Sequence, residues 1–293
     1  MPKNRVWTLL AVFSVVLALL VTGGCGKPAV ERAEPSGLTI QVIDVGQGDA
    51  ILIRTPGQQV TLIDTGDVPA RNKLVAYIKK QGVIAIDNLI ITHPHADHLG
   101  GAQAILENFP VKHVYDNGQT TTTALYRQYL TLIQKKQIPF EVVKVGGQLD
   151  LGGGAILTFY GPPSPPLAGA ETNLNNASIV GRLSFGKFSM LLPGDAELEE
   201  ERWIVKRYGG ELQSQVLKSG HHGSRTSSSL GFLKAVRPEA AIASLGAGND
   251  YHHPHPSTIR RYEDYKIKFF RTDTDGTVTI TSDGETYTIT KEK

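Results

Sequence analysis

Three histidines and an aspartate lie within six consecutive positions of this 293-residue chain, in the pattern His-x-His-x-Asp-His at residues 93–98. Imidazole nitrogens and carboxylate oxygens are the usual protein ligands of zinc and other divalent ions. Residues 87–92 before the pattern are typical of a short buried strand, and residues 99–109 after it are typical of a helix that opens on two glycines. Side chains on such a strand-to-helix turn can point at one spot, so the pattern predicts a metal site.

The composition restricts the other possibilities. A formal net charge of +2 is too small to argue for nucleic-acid binding by bulk electrostatics. A hydrophobic fraction of 40% and a charged fraction of 20% are typical of a globular protein. Cys25 is the only cysteine, so disulfide bonds and thiolate metal ligands are excluded.

Residues 1–25 have the layout of a secretory signal, with a positively charged start, an uncharged apolar run at 6–21 and small residues before Cys25. The position of Cys25 resembles the lipobox of bacterial lipoproteins, where this cysteine carries the lipid; an uncleaved membrane anchor is the alternative. Residues 26–37 are typical of a flexible tether. We therefore expect the rest of the chain at the extracellular face of the cytoplasmic membrane, lipid-anchored or secreted.

The remaining residues, 38–293, are predicted to form one domain. The predicted strands first form hairpins and then alternate with helices, and this coarse order of elements occurs twice along the chain. It predicts an α/β sandwich of two mixed β-sheets packed face to face with helices outside. Beyond the leader, no apolar run of about 18 or more residues is present to cross a membrane.

Six further motifs follow one another along the chain: DVGQGD (44–49), LIDTG (62–66), NNAS (175–178), LPGD (192–195), KSGHHGS (218–224) and HPH (253–255). Together with the histidine-rich turn, they resemble the metallo-β-lactamase fold superfamily. Within it they are most similar to the outward-facing hydrolase domain of the ComEC-type competence DNA-uptake channel. The resemblance covers about residues 38–285 and implies the αββα sandwich of that superfamily.

The resemblance also implies a set of metal ligands for two divalent ions, zinc or manganese. His93 and His95 would hold the first ion, Asp97 and His98 would hold the second, and Asp195 would bridge both. The first ion has one ligand fewer than in many family members, because the position of a further histidine is taken here by the NNAS motif. The first ion would then be under-liganded or more weakly bound, or Asn176 or a histidine from the second half would complete its ligand set.

Either His221 or His222 would complete a ligand shell. Neighbouring residues on a strand point in opposite directions, so we expect one of them to be a ligand, and we favour His221. Asp64 would orient a ligand histidine by accepting its other N–H.

Catalytic roles are predicted for Asp97 and His222 at the metals, and for His255 and Lys218 toward the substrate. His255 would contact a phosphate or move a proton, or else cap the helix that starts near Ser257. Lys218 would neutralise a phosphate, or else be a solvated residue at the end of a strand. Ser224 lacks a visible base partner and is expected to contact substrate or support the site, while Asp49 is expected to shape a turn.

The function expected from this pattern is metal-assisted hydrolysis, in which two ions lower the pKa of a water and the resulting hydroxide attacks the substrate. The favoured activity is a phosphodiesterase or nuclease related to competence DNA uptake, with DNA and the uptake machinery as partners. One alternative is hydrolysis of another ester, such as a phosphocholine ester of a wall polymer, or of a lactam. The other is a catalytically weak module that binds DNA or a wall polymer.

Overall fold

The computed structural model describes residues 37–169 and 173–293. The predicted leader, the lipid site at Cys25 and nearly all of the tether lie outside the described residues and stay predictions. The described residues lie within one compact unit of the chain, which spans 35–293. No helix in these described ranges is both long enough and apolar enough to cross a bilayer.

The strands of the described residues, numbered in chain order, are β1 (Leu38–Val42), β2 (Ile51–Arg54), β3 (Val60–Ile63), β4 (Ile86–Ile91), β5 (Val111–Asp116), β6 (Phe140–Val142), β7 (Gln148–Asp150), β8 (Ala155–Phe159), β9 (Gly181–Phe185), β10 (Phe188–Leu192), β11 (Val216–Lys218), β12 (Ala240–Ala243), β13 (Lys268–Arg271), β14 (Val278–Ser282) and β15 (Tyr287–Lys291). The α-helices are α1 (Arg71–Lys80), α2 (Ala96–Leu99), α3 (Ala102–Asn108), α4 (Ala124–Lys136), α5 (Leu198–Tyr208), α6 (Leu230–Val236), α7 (Pro256–Asp264) and α8 (Thr272–Asp275). Short 3₁₀ segments occupy Val68–Ala70, Leu174–Ala177, Gly209–Leu212 and Gly220–Gly223.

The strands form two mixed sheets, as the sequence predicts. One sheet has the order β15-β14-β1-β2-β3-β4-β5-β6, and the other has the order β13-β12-β11-β10-β9-β8-β7. In the first sheet the pairs from β3 to β6 are parallel and the others are antiparallel. In the second sheet the pairs from β10 to β13 are parallel and the others are antiparallel.

Alternate residues of the central strands pack into different apolar layers. In β2, Ile51 and Ile53 join a cluster that also contains residues of the second sheet, whereas Leu52 joins the cluster beneath α1, α3 and α4. In β11, Val216 faces the shared cluster and Leu217 faces the cluster of α5, α6 and α7. Because side chains alternate across a strand, each sheet separates two layers. The result is a helix–sheet–sheet–helix sandwich.

The glycines after the histidine-rich turn separate two helices instead of opening one. Gly100 and Gly101 lie between α2 and α3, where the chain passes close to its own backbone. A Cβ atom at Gly100 would lie 2.3 Å from the Val68 nitrogen, and one at Gly101 would lie 2.4 Å from the Thr65 oxygen. The absence of a side chain therefore lets this segment pack against the loop that follows β3.

The predicted site motifs follow the carboxyl ends of parallel strands. Asp64 follows β3, the histidine-rich turn follows β4, and Asp195 follows β10 within a few residues. The histidine pair His221 and His222 follows β11. Parallel strands carry their carboxyl ends to the same edge of a sheet, so the topology brings residues that are far apart in sequence to one edge of the sandwich.

Candidate metal centre

The carboxylate of Asp195 lies at the centre of the site. Its Oδ2 atom is 3.2 Å from His98 Nε2, 3.3 Å from His222 Nε2, 3.7 Å from His221 Nε2 and 4.0 Å from His93 Nε2. The side chain is only 2% exposed. Four imidazole nitrogens from two turns, at residues 93–98 and 221–222, thus surround one carboxylate oxygen, which is compatible with the bridging role that the resemblance implies for Asp195.

Four side chains form the tightest group of potential ligands. The ligand atoms of Asp97, His98, Asp195 and His222 all lie within 4.8 Å of one another. Within the described residues, Nε2 of His98, Nε2 of His222 and Oδ1 of Asp195 are buried without a hydrogen bond. Buried polar atoms are normally partnered, and two imidazoles with two carboxylates are a donor set that suits a divalent transition-metal ion. These residues therefore fit the metal that the sequence predicts.

His93 and His95 lie beside this group. His93 Nε2 is 3.0 Å from His95 Nδ1, and the ring centroid of His93 is 4.1 Å from that of His98. Burial and the neighbouring His98 hold the pKa of His93 well below its ordinary value. Its ring is therefore neutral, which is the form that binds a metal ion.

Asp64 fixes the orientation of His98. Its Oδ2 is 2.8 Å from His98 Nδ1, and its Oδ1 accepts the backbone N–H of Thr92 at 2.8 Å. The Thr92 hydroxyl also donates to Oδ2 at 2.7 Å. A proton on Nδ1 toward this carboxylate leaves Nε2 of His98 free to face Asp195. This is the contact that the resemblance implies for Asp64, although its role toward a metal stays a prediction.

The ring of His222 is also oriented by acceptors near its Nδ1, as Asp64 orients the ring of His98. Its Nδ1 is 2.9 Å from the carbonyl oxygen of Ser244 and 3.3 Å from Asp49 Oδ1. A carbonyl oxygen can only accept, so Nδ1 carries the proton and Nε2 is free to bind a metal ion. Asp49 is 1% exposed and has a second partner, because its Oδ2 lies 2.9 Å from Lys218 Nζ.

The buried ion pair of Lys218 and Asp49 corrects the roles that the sequence predicts for these two residues. Lys218 is completely buried, and its ammonium also donates to the carbonyl of Ser219 at 3.0 Å. It is therefore neither a solvated residue at a strand end nor a cation directed at a substrate phosphate. Asp49 lies in the predicted turn, but its carboxylate also balances the buried ammonium. A lysine at the end of an otherwise apolar strand is expected to be buried and therefore to need a counter-ion. This pattern is the sequence signal from which the ion pair of Lys218 could have been predicted.

The site concentrates opposite charges that shift one another's protonation. Burial would raise the pKa of Asp195, but His222 and His98 hold it well below its ordinary value. Burial would lower the pKa values of His98 and His222, but Asp195 is the largest influence that raises both well above the ordinary value. The buried carboxylates are therefore stabilised by nearby positive charge, and either protons on the imidazoles or a divalent cation can supply that charge.

The preference for His221 over His222 rested on strand alternation, and that premise is wrong. Strand β11 ends at Lys218, and both histidines lie in a 3₁₀ turn with φ values of 48° and 56°. His222 joins the four-residue group and is 1% exposed. His221 is 22% exposed at its side chain, and its Nδ1 is 3.2 Å from Glu197 Oε1. The geometry therefore favours His222 as the ligand and places His221 at the rim.

Asn176 does not complete a metal site, contrary to the expectation from the sequence. Its Oδ1 accepts the backbone N–H groups of Glu197 and Glu200 at 3.2 and 3.3 Å, and its Nδ2 donates to Glu199 Oε2 at 3.1 Å. The side chain thus caps the start of α5. The serine that ends the same motif was missed: Ser178 Oγ accepts the Asp195 N–H at 3.1 Å and lies 3.5 Å from His93 Nδ1.

Ser224 shapes its own turn. Its hydroxyl lies 3.0 Å from Thr226 Oγ1 and accepts the Thr226 N–H at 3.3 Å. Its carbonyl accepts from the Thr258 hydroxyl at 2.9 Å, which joins the turn to α7. These contacts show a structural role for Ser224, and its role toward substrate stays a prediction.

His255 stands at the amino end of α7 but does not cap that helix with its side chain. Its Nδ1 accepts the backbone N–H of Arg225 at 3.1 Å. Burial and the positive charge of Arg225 lower its pKa, so the ring is neutral and its proton lies on Nε2. That N–H is free to donate, as the predicted role toward a substrate oxygen requires.

Comparison with known proteins gives three findings. A family model described as "Metallo-beta-lactamase superfamily" matches residues 43–247. The chain is 31% identical over 258 residues to ComE operon protein 3 of Bacillus subtilis (strain 168), and 32% identical over 260 residues to Competence protein ComA of Neisseria gonorrhoeae. These alignments cover 82% and 88% of this chain but only 32% and 34% of the relatives, so the chain spans about a third of their length. The metallo-beta-lactamase fold protein YhfI from Bacillus subtilis superposes with a TM-score of 0.53 at 14% identity, over 80% of this chain and 95% of that one, which shows the fold alone.

Proposed function

Because this chain belongs to the metallo-β-lactamase superfamily, whose family model covers residues 43–247, we propose that it is a metal-dependent phosphodiesterase acting on DNA outside the cytoplasmic membrane. Membership confirms the predicted αββα sandwich. The chain is a hydrolase of that superfamily with a candidate metal site. Phosphodiester specificity, an outer location and a lipid on Cys25 belong to the proposal.

The observation that carries the proposal is the convergence of imidazole and carboxylate groups on Asp195. Asp97, His98, Asp195 and His222 would hold one divalent ion, and His93 and His95, with Asp195 between, would hold the other. Ions bound there would act as Lewis acids and lower the pKa of a water toward neutrality. Asp64, Ser244 and Asp49 keep the two buried ligand histidines in the tautomer that metal binding needs.

One side of the candidate metal site is open to solvent, so that a substrate can approach the metal ligands from that side. The side chains of Asp97 and His221 are 25% and 22% exposed, whereas those of His93, His98 and Asp195 are buried. On that side, the Nε2–H of His255 can donate to a phosphate oxygen. An extended polymer could therefore reach the metals without any rearrangement of the core.

DNA is favoured as the substrate by the relatives. One of them is named a competence protein and another ComE operon protein 3, and the family model at residues 43–247 spans the candidate ligands from His93 to His222. We infer that the chain supplies a hydrolase beside an uptake apparatus. A phosphocholine ester, a lactam and a pure binding role are alternative outcomes of the experiment below.

The experiment is turnover of single-stranded DNA and of a simple phosphodiester with zinc, with manganese and with a chelator. Asp97→Ala removes a ligand of the tightest group, and His113→Ala is the matched control, because His113 lies on β5 with its Nε2 3.1 Å from Glu141. We expect metal-dependent DNA cleavage that is lost in Asp97→Ala and kept in His113→Ala. Metal binding without turnover of either substrate would overturn the enzymatic proposal in favour of a binding module.

A further inference from the structure

Tyr251 is an exposed aromatic residue beside the metal centre. Its side chain is 61% exposed, and its hydroxyl makes no hydrogen bond within residues 37–169 and 173–293. The ring is therefore accessible to a ligand that arrives from solvent. The ring packs one face toward His253, with centroids 5.6 Å apart and planes inclined by 23°.

His253 connects this tyrosine to the metal ligands. Its ring lies 6.2 Å from that of His222, with planes inclined by 28°, and 5.5 Å from that of His221. The rings of Tyr251, His253 and His222 thus form a row of near-parallel planes that leads from solvent to the metal centre. We call this row the ring ladder.

The charges around the ladder favour a neutral planar group beside an anion. The ring of His253 also lies 4.9 Å from that of His255, with planes inclined by 66°. Arg225 is an exposed residue whose backbone N–H donates to Nδ1 of this His255 at 3.1 Å, and it has no ion pair within the described ranges. Arg225 would repel a quaternary ammonium. A nucleotide, in contrast, can stack its base on the ring of Tyr251 while its phosphate is attracted by the positive charge of Arg225.

We propose that the outer face of Tyr251, at the end of the ring ladder, is a stacking subsite for a nucleobase next to the phosphodiester that is cleaved. The inference rests on the proposed phosphodiesterase function and adds the part of the substrate that is recognised. Stacking of a base on an aromatic side chain contributes about 1–3 kcal/mol and tolerates any base. The subsite therefore selects nucleic acid over other phosphodiesters without sequence preference.

The test compares two substrates of equal length: oligothymidylate, and a strand in which every nucleotide is replaced by an abasic analogue. The measured quantity is the ratio of kcat/KM for the two. We expect Tyr251→Leu to lower that ratio about 5- to 150-fold, chiefly through KM, and Tyr251→Phe to keep it, because phenylalanine retains the ring. Tyr265→Leu is the control, since Tyr265 is also exposed, at 38%, but lies beyond the carboxyl end of α7.

A binding measurement makes the inference independent of turnover. In the Asp97→Ala background, labelled oligothymidylate is titrated with protein and followed by fluorescence anisotropy. Adding Tyr251→Leu is expected to weaken this binding by a similar factor, with no such change for the abasic strand. Circular dichroism of each variant checks that it is folded.

The outcomes separate the two proposals. If the parent cleaves both strands equally well and Tyr251→Leu changes neither the ratio nor the binding, the base subsite is wrong and the phosphodiesterase remains. If neither strand is cleaved but binding of oligothymidylate depends on Tyr251, the subsite stands and the enzymatic proposal fails. If Tyr251 matters instead for a phosphocholine ester, the subsite recognises a quaternary ammonium and the base is overturned.

Discussion

Lys218 Nζ lies 2.9 Å from Asp49 Oδ2, and the two side chains are 1% and 2% exposed. The lysine ends β11 of one sheet, and the aspartate precedes β2 of the other. The other oxygen of Asp49 is 3.3 Å from Nδ1 of the candidate metal ligand His222. A buried ion pair therefore joins the two sheets and continues directly into the metal centre.

Replacing Lys218 with methionine should destabilise the fold strongly. The change keeps the apolar stem but leaves the Asp49 carboxylate buried without its cation, which costs about 3–5 kcal/mol. Urea unfolding of the chelator-treated protein measures the loss. Lys187→Met is the matched control, because Lys187 forms an ion pair with Glu285 whose side chains are 74% and 65% exposed, and its removal should cost no more than about 1 kcal/mol. Equal losses in the two variants would show that the Lys218–Asp49 pair has no special weight.

The two neighbouring histidines should differ in their effect on metal affinity. We expect His222→Ala to weaken zinc binding by at least about 10–100-fold, because it removes a buried nitrogen that faces both Asp97 and Asp195. His221→Ala should have a smaller effect, since this ring is at the rim and its other nitrogen is bound to Glu197. Competition with a zinc-binding dye gives both affinities. A larger loss for His221→Ala would restore the assignment that strand alternation suggested.

The sequence could predict the fold and the core of the site because the decisive residues are close together or follow strands. The pattern at residues 93–98 places four candidate ligands on one turn, and Asp64 and Asp195 each follow an apolar strand. The choice between His221 and His222 was beyond this reasoning, because it depends on two positive φ angles after the strand has ended.

The partners of Lys218 and Asn176 could not be predicted for a different reason. Lys218 meets Asp49, which lies 169 positions earlier, only because the two sheets pack face to face. Asn176 caps α5 instead of facing the metals, and that depends on where the helix begins in space. The local sequence pattern identifies a polar residue as important, but tertiary packing determines which group that residue contacts.

Replacing Asn176 with alanine should cost stability without changing metal binding. The substitution removes the acceptor for two backbone N–H groups at the start of α5, which costs about 1 kcal/mol, with about 2 kcal/mol as the upper end. Urea unfolding measures this loss, and metal analysis of the purified variant gives the number of ions bound per chain. A drop in that number relative to the parent would mean that Asn176 acts as a ligand after all.

Asp116 should make the fold less stable as the pH rises through the mildly acidic range. Its side chain is buried at the end of β5, and its Oδ1 accepts the Gly118 N–H at 2.8 Å. Burial raises its pKa from 3.8 to about 6, although the Gly118 N–H and the neighbouring Tyr126 lower it. The folded state therefore binds this proton more tightly than the unfolded state does, and the free energy of unfolding falls between about pH 4 and pH 6.

Asp116→Asn should remove that dependence, because an amide keeps the acceptor for Gly118 and carries no charge. The variant is expected to gain up to about 3 kcal/mol over the parent at pH 7.5 and little or nothing near pH 4. Urea unfolding of both proteins at the two pH values, with a chelator present, gives the difference. Asp150→Asn is the matched control, since the exposed Asp150 accepts the Gly152 N–H at 2.8 Å in the same local geometry without burial. A gain for Asp116→Asn that is the same at both pH values would show that the carboxyl is ionised in the folded protein throughout this range, and that burial does not set its pKa.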